Sequence, residues 1–172
     1  MSTTAAFIRD IPDFPEPGIV YKDITPLLAN AAAFADAVES MATPLRDLSI
    51  DVVAGMEARG FLFGPPIAQV LGVGFVPVRK PGKLPADTTS MSYELEYGTD
   101  TLEVHTDALA AGQRVALVDD VLATGGTLAA SAALVRSMDA IPVAASVLLE
   151  LAFLQGRDKL TGIEVHTVLE VR

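Results

Sequence analysis

The chain has 172 residues, 51% hydrophobic and 20% charged, a balance that fits a single globular domain with a substantial core. A formal net charge of −10 argues against a general binder of nucleic acid or anionic membrane. The chain has no cysteine and only two histidines, His105 and His166, which excludes disulfides, thiolate nucleophiles and Cys-ligated zinc and leaves too few ligands for a His-rich metal site.

The first twenty residues carry Arg9, Asp10, Asp13 and Glu16 with three prolines. They hold no apolar signal-peptide core, and no later apolar run reaches the roughly 18 residues of a membrane span. The expected compartment is the cytoplasm. Up to Pro26, the density of Pro and Gly (Pro12, Pro15, Pro17, Gly18) predicts irregular chain after a short helical start. A helix is predicted from about Asn30, with Phe34, Val38, Met41 and Leu45 at helical spacing. Pro44 falls inside that pattern and should kink or divide it.

Ile50–Gly55 then reads as a strand, about Gly64 to Leu71 as a helix with prolines near its start, and Phe75–Arg79 as a strand followed by a loop over Pro81–Asp87. Ser90–Tyr97 and Thr101–Thr106 alternate polar and apolar residues around Gly98, a hairpin pattern. Arg114–Val118 is a short apolar strand, followed by a Gly-containing loop and a helix from about Thr127 to Met138. Val143–Leu151 and Ile163–Val171 are further strands. This alternation predicts one α/β domain, residues 1–172, with a mainly parallel sheet. Ligands bind such sheets beyond the carboxyl ends of the strands, so the loops after Gly55, Arg79 and Val118 are the candidate sites.

The charge is unevenly spread. Between Ala58 and Ala86 there is no acidic residue, yet Arg59, Arg79, Lys80 and Lys83 all fall there, four of the chain's twelve basic residues. Such a stretch suits a compact anion; a buried helix and strand with basic ends is the plainer reading. The richest pattern is Val115-Ala-Leu-Val-Asp-Asp-Val-Leu-Ala-Thr-Gly-Gly-Thr127, an apolar strand running into two carboxylates and then a small-residue loop that opens a helix. Gly125 and Gly126 let backbone wrap a ligand. Free amides at a helix start suit a phosphate, and Thr124 and Thr127 add hydroxyls, Thr127 also as a helix cap. No Gly-Lys-Ser/Thr follows, so this is not a nucleotide-hydrolysing P-loop. Adjacent carboxylates beside a phosphate cradle make sense if Asp119 and Asp120 hold the hydroxyls of a ribose whose 5′-phosphate sits on the loop.

This stretch resembles the signature with which type I phosphoribosyltransferases bind phosphoribosyl pyrophosphate (PRPP). Further segments make the chain similar to the adenine phosphoribosyltransferase family: Ile11-Pro-Asp-Phe-Pro-Glu-Pro-Gly-Ile19, Lys22-Asp-Ile-Thr-Pro-Leu-Leu28, Glu57-Ala-Arg-Gly-Phe-Leu-Phe-Gly64, Arg79-Lys-Pro-Gly-Lys-Leu-Pro85 and Ser92-Tyr-Glu-Leu-Glu-Tyr-Gly98. The similarity runs in order from about residue 8 to residue 160.

The resemblance implies the type I phosphoribosyltransferase fold, a mainly parallel α/β core flanked by helices with a small hood largely from residues 1–30, and usually a homodimer. It implies transfer of adenine onto PRPP with Mg2+, giving AMP and pyrophosphate. Asp119, Asp120, Ala123, Thr124, Gly125, Gly126 and Thr127 would bind PRPP or AMP. Arg59 would contact the leaving pyrophosphate as a catalytic group, joined by Arg79, Lys80 and Lys83. Val20, Tyr21 and Lys22 would read the base, where many relatives have Phe and Arg in place of Tyr21 and Lys22, and Val121 would supply a second apolar wall. Glu96 would be the acid/base group and Tyr97 the gate of a mobile loop. No metal ligand from the protein is implied, because Mg2+ arrives with substrate phosphates. Transfer to another purine base, and a PRPP-sensing regulator without catalysis, remain as alternative readings.

Overall fold

Val52–Met56 (β3) is buried at every position, as expected of a strand covered on both faces. It lies inside a five-stranded, wholly parallel sheet with Gly74–Val78 (β4) on one side. On the other side come Arg114–Leu122 (β7), Ile141–Leu151 (β8) and Glu164–Val171 (β9), giving the order β4-β3-β7-β8-β9. The helix Gly60–Leu71 (α3) links β3 to β4, and Gly126–Ser137 (α4) links β7 to β8. Burial of Phe63 and Ile67 on α3, and of Leu128 and Leu134 on α4, packs the apolar sides of these helices inward. Chain order reverses between β3 and β7, so a crevice opens beyond their carboxyl ends. An antiparallel hairpin of Thr88–Glu94 (β5) and Thr99–His105 (β6) buries Leu102 and Val104.

The computed structural model describes residues 3–94 and 99–172, and the chain divides into two units, Met1–Ser40 and Met41–Arg172. In the first unit, Arg9–Pro12 (β1) and Val20–Asp23 (β2) pair antiparallel, where the sequence predicted irregular chain. The Pro/Gly segment is only their connection, pinned where the Gly18 amide donates to Asp13 at 2.8 Å. Asp23 accepts from the Thr25 amide at 2.9 Å and from Arg9. These bonds, the amide's first, hold its carboxyl down at about 2. A short helix, Thr25–Ala29 (α1), follows. Asn30 then accepts from the Ala33 amide at 3.0 Å and starts the helix Ala31–Ala42 (α2), whose regular turns stop short of Pro44 in a 3-10 segment, Thr43–Leu48.

Two other boundaries moved. Helix α3 begins at Gly60, with Pro65 and Pro66 inside it rather than at its start; burial of Phe63 extends the helix backward past them. Strand β7 runs to Leu122, so Asp119 and Asp120 lie in the strand itself.

Candidate active site

The end of β7 and the start of α4 form a cleft lined by residues 121–128. Gly125 takes the position before the helix with φ +77°, a backbone conformation that penalises a side chain. Close packing adds to the constraint: a Cβ there would run into the carbonyl of Gly156, and one on Gly156 would meet the carbonyl of Ala123. No side chain caps α4. Thr127 lies within the helix rather than capping it, because the loop places a glycine at the cap. The first amides and the helix dipole are therefore directed at the cleft, the arrangement an anion needs. Thr124 is exposed.

Asp119 and Asp120 are held beside this cradle at the strand end. The Asp120 amide donates to Asp119 Oδ1 at 2.9 Å. Burial pushes the Asp119 carboxyl well up, and the neighbouring charge of Asp120 adds to that. Burial also raises Asp120, against the opposing pull of Arg59. Arg59 Nε lies 2.8 Å from Asp120 Oδ2, yet its N–H is not aimed at that oxygen, which is buried without a hydrogen bond. A buried acceptor with unspent capacity is what a sugar hydroxyl would complete.

Arg59 reaches this point because the segment after β3 packs tightly on β7. A Cβ on Gly60 would lie 2.7 Å from the Val118 carbonyl and 3.1 Å from Asp119 Oδ1. One residue before Arg59, the Glu57–Ala58 peptide is cis. Glu57 accepts from Arg79 Nη2 at 2.8 Å and Nε at 3.2 Å, and from the Lys80 amide at 3.0 Å. Arg79 also donates to the Lys83 carbonyl at 2.9 Å and stands 5.9 Å over the Phe61 ring. Lys80 pairs with Asp100 of β6. The Lys83 side chain is exposed.

A family model for the phosphoribosyl transferase domain matches residues 26–164. The chain is 55% identical to the adenine phosphoribosyltransferase of Thermobifida fusca over 165 residues, 96% of this chain and 94% of that protein. The chain belongs to the adenine phosphoribosyltransferases. Its fold agrees. The adenine phosphoribosyltransferase structure from Thermoanaerobacter pseudethanolicus superposes with a TM-score of 0.95 at 56% identity, covering 98% of each chain. That from Saccharomyces cerevisiae, complexed with an imino-altritol bisphosphate and adenine, gives 0.92 at 41% identity over 96% of each chain.

Within this adenine phosphoribosyltransferase fold, the loop of residues 123–127, the two aspartates and Arg59 come together at the ends of β3 and β7, with Arg79 and Lys80 tied to the same segment through Glu57. Val20, Tyr21 and Lys22 belong to the first unit, where Tyr21 meets Phe14 edge-on, ring centroids 5.2 Å apart, and Lys22 Nζ donates to Asp10 at 2.7 Å. Val121 is partly buried at the mouth of the cleft. Glu96 and Tyr97 lie outside the described residues. His105 and His166 stand in β6 and β9; His105 accepts from the Ala86 amide at 3.4 Å, and His166 lies 3.4 Å from Glu164.

Sequence reasoning missed the pairing of Glu57 and Asp100 and the close packing of Gly60 and Gly156. The glycines carried one signal, since each sits in a short motif with an arginine beside it (Arg59-Gly60, Gly156-Arg157). Nothing local marked the ties of Glu57 to Arg79 and of Asp100 to Lys80, cations 20 or more residues away.

Proposed function

We propose that this chain joins adenine to PRPP, forming AMP and pyrophosphate in purine salvage. The observation that carries the reading is the meeting of an uncapped helix start, a carboxylate pair and an arginine at one crevice. These groups match the three parts of PRPP: 5′-phosphate, ribose hydroxyls and pyrophosphate.

In the proposed reaction adenine N9 bonds to the anomeric carbon while the bond from that carbon to the pyrophosphate oxygen breaks. The bonding pair leaves on pyrophosphate. Amides of Gly125, Gly126 and Thr127, with the Thr124 and Thr127 hydroxyls and Ala123 in the loop, hold the 5′-phosphate. Asp119 and Asp120 accept from the ribose hydroxyls and favour the positive charge that develops on the ring. Arg59 stabilises the charge on the departing pyrophosphate, with Arg79, Lys80 and Lys83 as further cations. The base-reading roles stay with Val20, Tyr21, Lys22 and Val121. Glu96 is the proposed acceptor of the proton that adenine loses, and Tyr97 the proposed gate; these assignments rest on the family resemblance.

Mg2+ is the proposed metal. Among the described residues no cluster of three or more acidic or histidine side chains is present, while Asp119 and Asp120 offer hard oxygen donors beside the anion cradle. The ion fits as one held mainly by the phosphate oxygens of PRPP, where it would supply charge neutralisation for the leaving group. The whole chain is proposed to act as one catalytic domain in a cytoplasmic homodimer. Among the described residues no helix is long and apolar enough to cross a membrane.

Adenine, hypoxanthine, guanine and xanthine offered separately with PRPP and Mg2+ test the reading. AMP and pyrophosphate forming with adenine alone is the expected outcome. Turnover of an oxo-purine instead overturns the base assignment, and no product with any base overturns the enzyme reading in favour of a regulator.

A further inference from the structure

Three cations assigned to the pyrophosphate side each rest on a carboxylate: Arg59 on Asp120, Arg79 on Glu57 and Lys80 on Asp100. The three pairs differ in how firmly they are built. Glu57 takes two guanidinium N–H groups and a backbone amide, so releasing Arg79 would strand several bonds at once. Asp120 lies in the strand end, with its side chain only 6% exposed.

The third pair is looser. It joins one ammonium nitrogen to one carboxylate oxygen, with the Lys80 side chain 40% and the Asp100 side chain 25% exposed. Asp100 also has other partners. Its Oδ2 accepts from the Tyr93 hydroxyl at 3.0 Å and its Oδ1 from the Thr101 amide at 2.8 Å. The carboxylate therefore stays satisfied if Lys80 departs. Lys80 carries three donors on a flexible stem and takes phosphate as a compact charge. Tyr93, directly across the hairpin from Asp100, lies with its hydroxyl 3.3 Å from Thr127 Oγ1. Asp100 thus stands one hydroxyl away from the phosphate loop.

We propose that Asp100 is an internal counter-ion for Lys80 that the pyrophosphate group of the substrate displaces, so that Asp100 sets how tightly pyrophosphate is held. The proposal rests on the assignment of Lys80 to the pyrophosphate site. A dianionic or more highly charged phosphate outcompetes a single carboxylate for the ammonium. Asp100 then falls back on Tyr93 and Thr101, and on pyrophosphate release it returns to Lys80. Asp100 is a positioning residue in this scheme, acting only through Lys80.

The test is calorimetric titration of inorganic pyrophosphate with Mg2+ into the full-length protein, its Asp100→Asn, Asp100→Ala and Lys80→Met variants, and the Asp100→Asn/Lys80→Met double variant. Asp100→Asn and Asp100→Ala are expected to bind pyrophosphate about threefold more tightly, the scale of a half-exposed ion pair. Lys80→Met is expected to bind about tenfold more weakly, and in that background Asp100→Asn should change nothing. Unchanged or weaker binding in both Asp100 variants overturns the proposal. Equal tightening with and without Lys80 also overturns it, since the effect is then one of general charge. If Lys80→Met alone leaves the affinity unchanged, it is the assignment of Lys80 to the pyrophosphate site that fails, and the counter-ion role falls with it.

Discussion

Two carboxylate–arginine pairs stand near the same end of the sheet, on neighbouring strands, and behave in opposite ways. Glu150, at the end of β8, accepts from Arg157 Nε at 3.0 Å and from a second guanidinium nitrogen, and Thr167 adds a bond at 2.9 Å. The Arg157 hydrogen bonds hold its carboxyl below the ordinary range although it is buried. Asp120, on β7, has Arg59 within 2.8 Å but gains no aligned bond at Oδ2, and burial pushes its carboxyl up. The same two chemical groups thus stabilise a negative charge at one site and leave it under-compensated at the other. The difference lies in how completely the acceptor is satisfied. Glu150 is finished by the fold, whereas Asp120 Oδ2 is buried without a hydrogen bond. Arg157 also donates to the Val165 carbonyl at 2.8 Å, anchoring the segment whose Gly156 packs against Ala123 and Gly125. The completed pair thereby supports the incomplete one.

The largest effect that can break this contrast is on turnover. Asp119→Asn and Asp120→Asn keep the shape of each side chain but exchange a charged acceptor for a neutral one. Loss of charge-assisted bonds to the ribose hydroxyls predicts AMP formation slower by about a hundredfold in each variant, the scale of one or two such bonds, with the fold intact by circular dichroism. Activity within a few-fold of the wild type would show that the pair does not hold substrate.

A smaller effect is expected at the finished pair. Glu150→Gln weakens the Arg157 and Thr167 bonds without emptying the site. With Arg157 half exposed, the expected loss is about 1 kcal/mol, or roughly 2–4 °C in melting temperature for a chain of this size. Because the native Glu150 carboxyl is depressed, its contribution is present above the unfolded value, about 4.3, and fades as pH falls through the native one. Thermal melts from pH 7 downward should therefore show the deficit of Glu150→Gln closing in acid. A deficit that persists unchanged at low pH would mean that packing, not charge, is what Gln disturbs.

The same contrast explains what could be read from the sequence. The strand–loop–helix order of the candidate site was legible because it is contiguous: strand, carboxylates, glycines and helix follow within thirteen residues. The parallel sheet was legible from apolar runs alternating with helical patterns. The β1–β2 ribbon was not, because its pairing spans a Pro/Gly segment that reads locally as a loop. The start of α3 was missed because Pro65 and Pro66 argue against a helix that the burial of Phe63 enforces. The pairing of Glu57 and of Asp100 was not legible, since its meaning comes from cations brought close only by the fold. Gly60 and Gly156 matter for what a Cβ would strike on another strand or loop, which local spacing does not encode.

The smallest predicted effect is the most specific to the incomplete site. A carboxyl whose native pKa is raised binds its proton more tightly folded than unfolded. Folding then loses stability as pH climbs from the unfolded value, about 3.9, through the native one, and the loss remains above it. Asp119 is in this position, raised by burial and by the charge of Asp120. Asp119→Asn cannot ionise, so it is expected to melt about 2 °C above the wild type at pH 7, with the advantage vanishing near pH 4. Glu150→Gln should show the reverse sign at neutral pH. Saturating AMP should raise the wild-type melting temperature more than that of Asp119→Asn, since the proposed ribose contact is made by the carboxylate and not by the amide. If Asp119→Asn were less stable than wild type at pH 7 and without ligand, Asp119 would be a finished structural group like Glu150, and the contrast between the two strands would collapse.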